Sequence, residues 1–408
     1  MTDDTGKPPT DPKWLDFADE SGNGQGGPVG PIPDQVPPAP VQPAAPPAPQ
    51  GGVPGHPGIA PTYPNQQPIP PGAAANPAGP PTQRRNPYIS QPQPGPAPFQ
   101  PQHAQLDQIA LSRQMKKAPE TGWRRAVFSA TGGRINPGES KEQLRINALI
   151  ERVRQPIRGD FRLAVLSLKG GVGKTTTTIG LGATFASLRG DRVIAVDANP
   201  DLGTLATRSR KQTNSTVRDL LKDPNVARYA DVRSHTSQAG SRLEILASER
   251  DPAVSEAFSE DDYREVVKIL RNHYNIILTD CGTGLMHSAM KGVLDLAHGI
   301  VLVTSPALDG AQSASTTLDW LVHHGYEQLV AQSVVVISSA KPGGVPIDTD
   351  AMTQHFLGKT RAVHAIPYDK HLAEGAEVDL ELVSKKTRTA FIELAASVAD
   401  AFPLAHGN

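Results

Sequence analysis

The stretch Lys169-Gly170-Gly171-Val172-Gly173-Lys174-Thr175-Thr176 decides how the rest of this chain is read. An apolar run, Leu163 to Leu168 (LAVLSL), precedes it, and helix-compatible sequence follows it through Leu188. Glycine has no Cβ, so consecutive backbone N–H groups in such a turn can converge on one anion. The helix that opens at Lys174 directs its positive dipole end to the same place. Residues Lys169 through Thr176 are therefore expected to cradle a phosphate, with the Lys174 ammonium neutralising it and the Thr175 hydroxyl on Mg²⁺.

The string departs from the ordinary Walker A pattern, whose first glycine would fall at Leu168. KGGVGKT instead resembles the deviant Walker A motif of the ParA/MinD superfamily. That resemblance implies that Lys169 is a signature lysine, reaching across a nucleotide-sandwiched homodimer to the partner's phosphates. A second strand, Arg192 to Asp197, ends in VDANPDLGTLA, and carboxylates at such a strand tip can orient water around Mg²⁺. In the family this segment is switch I, commonly D-x-D-P. Asp197 matches its first Asp, while Asn199 stands at the second, and Asp201 follows. Asn cannot carry the charge that steers an attacking water. Slow hydrolysis, or a charge supplied by Asp201 or by a partner, is the expectation, and Asp201 serves equally as a loop acid capping a helix.

A third apolar strand, Asn275 to Asp280 (NIILTD), runs into CGTG. Asp280 is expected to hold Mg²⁺ through a water as a Walker B aspartate, and Gly282 and Gly284 to free the turn to respond to a γ-phosphate. Guanine-binding relatives carry Asn/Thr-Lys-x-Asp after a late strand; SSAKPGG here has Gly343 where that Asp belongs, so ATP is the expected nucleotide. The family stacks adenine near a proline after the last strand. AIPYD (Ala365 to Asp369) is similar, which marks Pro367 and Tyr368, although Tyr368 also suits plain packing. Ser338 or Ser339 stands where the family often has Asn.

The chain has 408 residues, 40 prolines and 37 glycines. Most of the prolines precede residue 102, in stretches such as PPAPVQPAAPPAPQ, too poor in apolar side chains to offset the entropy of ordering. Residues 1–104 are thus expected to be a disordered Pro/Gly-rich arm, 105–160 a basic helical lead-in and 161–408 the P-loop ATPase domain. The fold class expected is α/β, a doubly wound and mainly parallel sheet, because the strands read as short apolar runs alternating with amphipathic helices. The remaining strands are expected at Leu243 to Leu246, Gly299 to Thr304, Ser333 to Ser338 and Ala362 to Ile366. The clearest helices are Gly310 to His323 and Thr389 to Phe402. In the lead-in, sequence compatible with a helix spans Leu106 to Lys117, Trp123 and Phe128 are expected as apolar anchors, and a helix starting near Ser140 is expected to turn Leu144, Ala148, Leu149 and Val153 to one face. WLDF, Trp14 to Phe17, reads either as a docking peptide or as an unstructured tail that contains a Trp.

A net charge of -1 gives no bulk attraction to nucleic acid or anionic membrane. There is no signal-like stretch and no run of membrane-spanning length, and the single cysteine, Cys281, cannot form an internal disulfide. A cytoplasmic location is expected, and relatives that need several cysteines for a cluster or metalloid are disfavoured. The ending AFPLAHGN lacks the basic amphipathic character of a membrane-binding helix, so no direct membrane insertion is expected.

Four stretches together, ETGWRR (Glu120 to Arg125), SLKGGVGKTT, LDGAQSASTTLDWLVHHGY (Leu308 to Tyr326) and AIPYDKHLAEGAEVDLELV (Ala365 to Val383), look like the EspI branch, the ParA/MinD-type ATPases of type VII (ESX) secretion. The resemblance implies an ATP-dependent dimeric switch. Its partner would be a secretion-system ATPase or another ESX component, met through the Pro-rich arm. Two other readings stand beside it. One is a partition ATPase on nonspecific DNA, contacting phosphates through Lys359, Arg361, Lys385, Lys386 and Arg388; the other is a nucleotide-sensing scaffold that does not hydrolyse.

Overall fold

Aliphatic and β-branched runs build one sheet of eight strands: β1 (Phe161–Leu166), β2 (Val193–Ala198), β3 (Ser237–Gln238), β4 (Glu244–Leu246), β5 (Ile276–Cys281), β6 (Gly299–Thr304), β7 (Val334–Ser338) and β8 (Ala362–Ile366). The computed structural model describes residues 12–15, 122–136, 138–199, 203–248, 258–285, 287–342 and 349–404. The spatial order is β3-β4-β2-β5-β1-β6-β7-β8. Every neighbouring pair is parallel except β3 with β4. β2, β5, β6 and β7 are buried at every position, as strands covered on both faces must be.

The helices lie on both faces. Lys141–Val153, Lys174–Leu188 and Lys385–Ala399 share one apolar cluster with β1, β2 and β5, where Phe161, Phe185 and Phe402 meet. The helices Ser288–Leu296, Leu308–His323 and Thr349–Leu357 share another with β1, β6 and β7. This is the doubly wound arrangement, with loop tips gathered at the carboxyl ends of the strands.

Several boundaries differ from the sequence reading. β1 begins at Phe161 and ends at Leu166 rather than spanning Leu163 to Leu168. Ser167 and Leu168 have already left the ladder to enter the loop, and Leu168 keeps 38% of its surface exposed. The short strand β3 has no apolar pattern to announce it; it exists because Ser237 and Gln238 pair with Ile245 and Glu244 at the sheet edge. The last long helix begins at Lys385, where the Ser384 hydroxyl caps it by accepting from the Thr387 N–H. It stops at Ala399, and Phe402 falls in a separate 3₁₀ turn.

The lead-in helix starts where expected, with the Ser140 hydroxyl accepting from the Gln143 N–H at 3.0 Å. Its buried face is partly as expected: Val153 is buried and Leu149 packs half-buried against the core, but Ile146 and Ile150 also turn inward, while Leu144 stays 55% exposed and Ala148 is exposed. The helix packs along Lys385–Ala399, and the bidentate Arg152–Asp400 contact at 3.1 and 2.5 Å fixes that orientation. Phe128 is half-buried, its ring against Gly133. The expected helix at Leu106 to Lys117, the Trp123 side chain and most of the arm 1–104 lie outside the described residues.

Part of the Trp14 to Phe17 island is described. Lys13–Leu15 form a single 3₁₀ turn, closed by the Leu15 N–H donating to the Pro12 carbonyl at 2.9 Å. Trp14 and Leu15 are buried in the same cluster as Phe185 and Phe391, so these two residues pack onto the chain's own domain. Residues 12–15 and the described residues from 122 onward belong to one compact unit.

Candidate nucleotide site

The loop after β1 is built as its glycines demand. Gly171 and Gly173 have φ of 73° and 91°, in the left-handed region that side chains resist. A Cβ on Gly173 would also stand 2.6 Å from the Ser338 Oγ, so glycine here serves both the turn and a close approach to the end of β7. The helix Lys174–Leu188 starts from Gly173 with no side-chain cap, which leaves its first N–H groups facing the loop.

Register does the rest. β2 and β5 are neighbours, and Asp197 stands directly opposite Asp280 at their carboxyl ends. Lys174 Nζ donates to Asp280 Oδ1 at 2.6 Å, Thr175 Oγ1 to Oδ2 at 2.7 Å and Thr178 Oγ1 to Oδ1 at 3.2 Å. Lys174 and Asp280 are both buried, so in this low-dielectric setting the pair depends on its geometry and on the two hydroxyls. Asp197 accepts backbone N–H bonds from Asn199 at 3.1 Å and Leu205 at 3.0 Å. Burial, and then the Asp280 carboxylate beside it, push the Asp197 carboxyl up to about 7 against those two bonds. Burial likewise pushes the Cys281 thiol up to about 12, which leaves it a packing group.

A pocket of about 380 Å³ opens above these residues. Lys169, Gly170, Gly171, Gly173, Lys174, Thr175 and Thr176 line it on the loop side. Val172 instead turns into the core. Pro367 and Tyr368 line the far wall beside Ser338 and Ser339, and Asn199 borders the pocket. Asp197 and Asp280 lie behind this lining. Asp201 is outside the described residues.

Lys169 donates to the Asp309 carboxylate at the start of Leu308–His323, and that contact holds Asp309 below the usual carboxylate range. Both side chains are substantially exposed, 44% and 65%.

Sequence reasoning missed Arg208. It sits in the 3₁₀ turn Leu205–Arg208 and lines the pocket. Its Nε and Nη1 are buried without a hydrogen-bond partner among the described residues, and burial lowers its pKa. No motif marks it, because it is one base in the ordinary-looking run RSRK. Thr178 was also missed, although the repeated TTTT after Lys174 is a signal that could have found it.

A half-buried guanidinium with two buried, unpartnered nitrogens, a buried orphan hydroxyl on Ser167 and two lysines around one cavity are suited to an anion of several charges. The Thr175 hydroxyl and Asp280 carboxylate, 2.7 Å apart, are the hard oxygen donors that Mg²⁺ prefers. The site therefore fits a nucleotide phosphate with its metal. Among the described residues no group of three or more His, Cys, Asp or Glu side chains could hold a metal by protein ligands alone.

Fold and site together define a P-loop nucleotide-binding domain, and residues 163–382 match the CobQ/CobB/MinD/ParA nucleotide binding domain. The chain belongs to that family. It is 37% identical over 289 residues to the ESX-1 secretion-associated protein EspI of Mycobacterium tuberculosis (strain ATCC 25618 / H37Rv), which covers 70% of this chain and 43% of EspI. It thus spans less than half the length of that relative. It is 28% identical over 182 residues to the septum site-determining protein MinD of Thermotoga maritima, covering 44% of this chain and 64% of MinD. Among solved structures, a ParA family ATPase from Chlorobium tepidum TLS superposes with a TM-score of 0.49 at 17% identity, covering 58% of this chain and 98% of the other.

Proposed function

We propose that this chain binds ATP with Mg²⁺ and acts as a slowly hydrolysing, dimeric switch ATPase that regulates or assembles a type VII secretion system. The observation that carries the nucleotide reading is the meeting of Lys174, Thr175 and Asp280 within 2.7 Å beneath a cavity lined by Arg208 and Lys169. In that role Lys174 and Arg208 bind phosphate oxygens, and Thr175 and Asp280 hold Mg²⁺, which when bound offsets charge on the phosphates. Pro367 and Tyr368 flank the base. Asp197, ringed by backbone donors, positions water, and Asn199 beside it carries no charge to direct an attack, which favours slow turnover.

The secretion role rests on the likeness to EspI. The partition reading draws less support. Lys359 pairs with Asp319 at 2.6 Å, Arg361 Nε donates to the Gln332 carbonyl at 3.3 Å and Arg388 Nη1 to the Trp14 carbonyl at 2.6 Å. At least these three of the five bases proposed for DNA are thus engaged within the fold. Among the described residues no helix is long and apolar enough to cross a membrane.

The test is affinity purification of the full chain from its host beside Lys174→Ala, with ATP binding and hydrolysis measured on both. Lys174→Ala should lower ATP affinity by roughly a hundredfold or more, since it removes a buried charge-assisted phosphate contact. Secretion components should co-purify only with the wild type. Tight ATP binding by the variant would sink the site assignment, and chromosomal DNA with a centromere-binding partner would replace secretion by segregation.

A further inference from the structure

Trp14 and Leu15 keep only 5% and 8% of their surface, yet they belong to a single 3₁₀ turn that has no stability of its own. Their burial is supplied by the domain. Arg388 on the helix Lys385–Ala399 donates Nη1 to the Trp14 carbonyl at 2.6 Å, which fixes the turn's backbone as well as its side chains. Pro12 and Trp14 edge a groove of about 720 Å³ whose other walls are the Gly240–Arg242 turn and the Glu377–Leu382 segment. Val378 and Leu380 of that segment share the apolar cluster with Trp14.

The segment has a second face. Asp369 pins both ends of the 369–384 excursion, accepting from the His371 and Leu372 N–H groups with Oδ1 and from the Ser384 N–H with Oδ2. His371 Nε2 accepts from the Asp379 N–H at 2.9 Å and braces the middle. The Val378 N–H donates to the Arg208 carbonyl at 3.0 Å, and Gly375 lies against the Arg208 guanidinium. Asp369, Leu372, Ala373 and Gly375 line the nucleotide pocket, whereas Glu377–Leu382 line the Trp14 groove. One loop therefore forms a wall of both.

We propose that the surface beside this groove, made by the Lys385–Ala399 helix and the Glu377–Leu382 segment, is a docking site for a Trp-Leu peptide, occupied by the chain's own Pro12–Leu15, and that docking braces the Asp369–Ser384 wall and with it Arg208 at the nucleotide pocket. The coupling to nucleotide rests on the function proposed above; the docking does not. Tethering makes the docking intramolecular, so the surface needs only modest intrinsic affinity, and a partner peptide presenting an aromatic-aliphatic pair could compete for it.

Hydrogen exchange on the full chain tests it. Trp14→Ala should speed exchange across residues 374–382 roughly tenfold or more, leave β1 and β5 protected, and be reversed by an added synthetic peptide of residues 11–17; Trp14→Phe should lie between. In a full chain with Trp123→Phe and Trp320→Phe, Trp14 fluorescence should resist acrylamide quenching relative to that peptide. Unchanged exchange in Trp14→Ala, or Trp14 quenched as freely as the peptide, overturns the docking. Affinity for a fluorescent ATP analogue should fall several-fold in Trp14→Ala. Faster exchange with unaltered affinity overturns the coupling while the docking stands. Failure of the wild type to bind the analogue overturns the nucleotide reading and the coupling with it, and exchange still decides the docking.

Discussion

Asp280 takes three donors, from Lys174, Thr175 and Thr178, while among the described residues Asp197 opposite it accepts from the Asn199 and Leu205 N–H groups. The folded Asp197 carboxyl titrates near 7, the unfolded one near 4. Between these values the folded chain holds a proton that the unfolded chain has lost, so this group's contribution falls as pH rises from about 4 to 7 and then levels off. Asp197→Asn removes the dependence. In metal-chelated buffer its melting temperature relative to wild type should climb from pH 5 to pH 8, and a difference flat in pH would exclude a strongly raised Asp197. Arg208 gives a second expectation at this scale. If its unpaired nitrogens receive phosphate, Arg208→Ala should weaken ATP binding about tenfold or more while the melting temperature without nucleotide stays level or rises, since two buried nitrogens without a partner are removed. Unaltered ATP affinity would reduce Arg208 to a packing residue.

At the scale of elements, Lys174–Leu188 must lie tightly against Lys385–Ala399, since each covers the same face of the sheet. Gly180 permits this: a Cβ there would stand 2.2 Å from the Phe391 ring, which is itself buried. Gly180→Ala should destabilise the domain by about 1–2 kcal/mol, overpacking outweighing the gain in helix propensity, with a melting temperature lower by several degrees. A stabilised variant would mean that Phe391 has room to move. Most elements were legible in sequence because a buried parallel strand is a compact apolar run and each turn carries its own Gly or Ser signal. The exceptions are instructive. β3 has only two polar residues, so its existence depends on the edge that receives it. The lead-in helix was read half correctly: Val153 and Leu149 do meet the core, but Leu144 and Ile146 are both apolar, and only contact with Lys385–Ala399 decides which one turns inward.

For the whole molecule, the Lys169–Asp309 contact bears on assembly. If the signature lysine reaches a partner's phosphates, it must exchange Asp309 for them, and both groups are exposed enough to do so at little cost. Lys169→Ala should bind ATP within a few-fold of wild type yet form no ATP-dependent dimer in sedimentation. A persisting dimer would remove that role from Lys169. The reach of the sequence ends at this scale. KGGVGKTT, the strand-end carboxylates Asp197 and Asp280, and the Pro367–Tyr368 corner were determined by the sequence alone, because strand, turn and helix signals act between neighbours along the chain and place such residues at one end of a parallel sheet. Only the tertiary structure decided that Asp197 stands beside Asp280, that Arg208 is left unpaired in the pocket, that Lys169 meets Asp309 and that Trp14 lies against the Lys385–Ala399 helix. Those contacts join residues far apart in the chain, where no local periodicity operates and the outcome depends on which surfaces the assembled sheet leaves open.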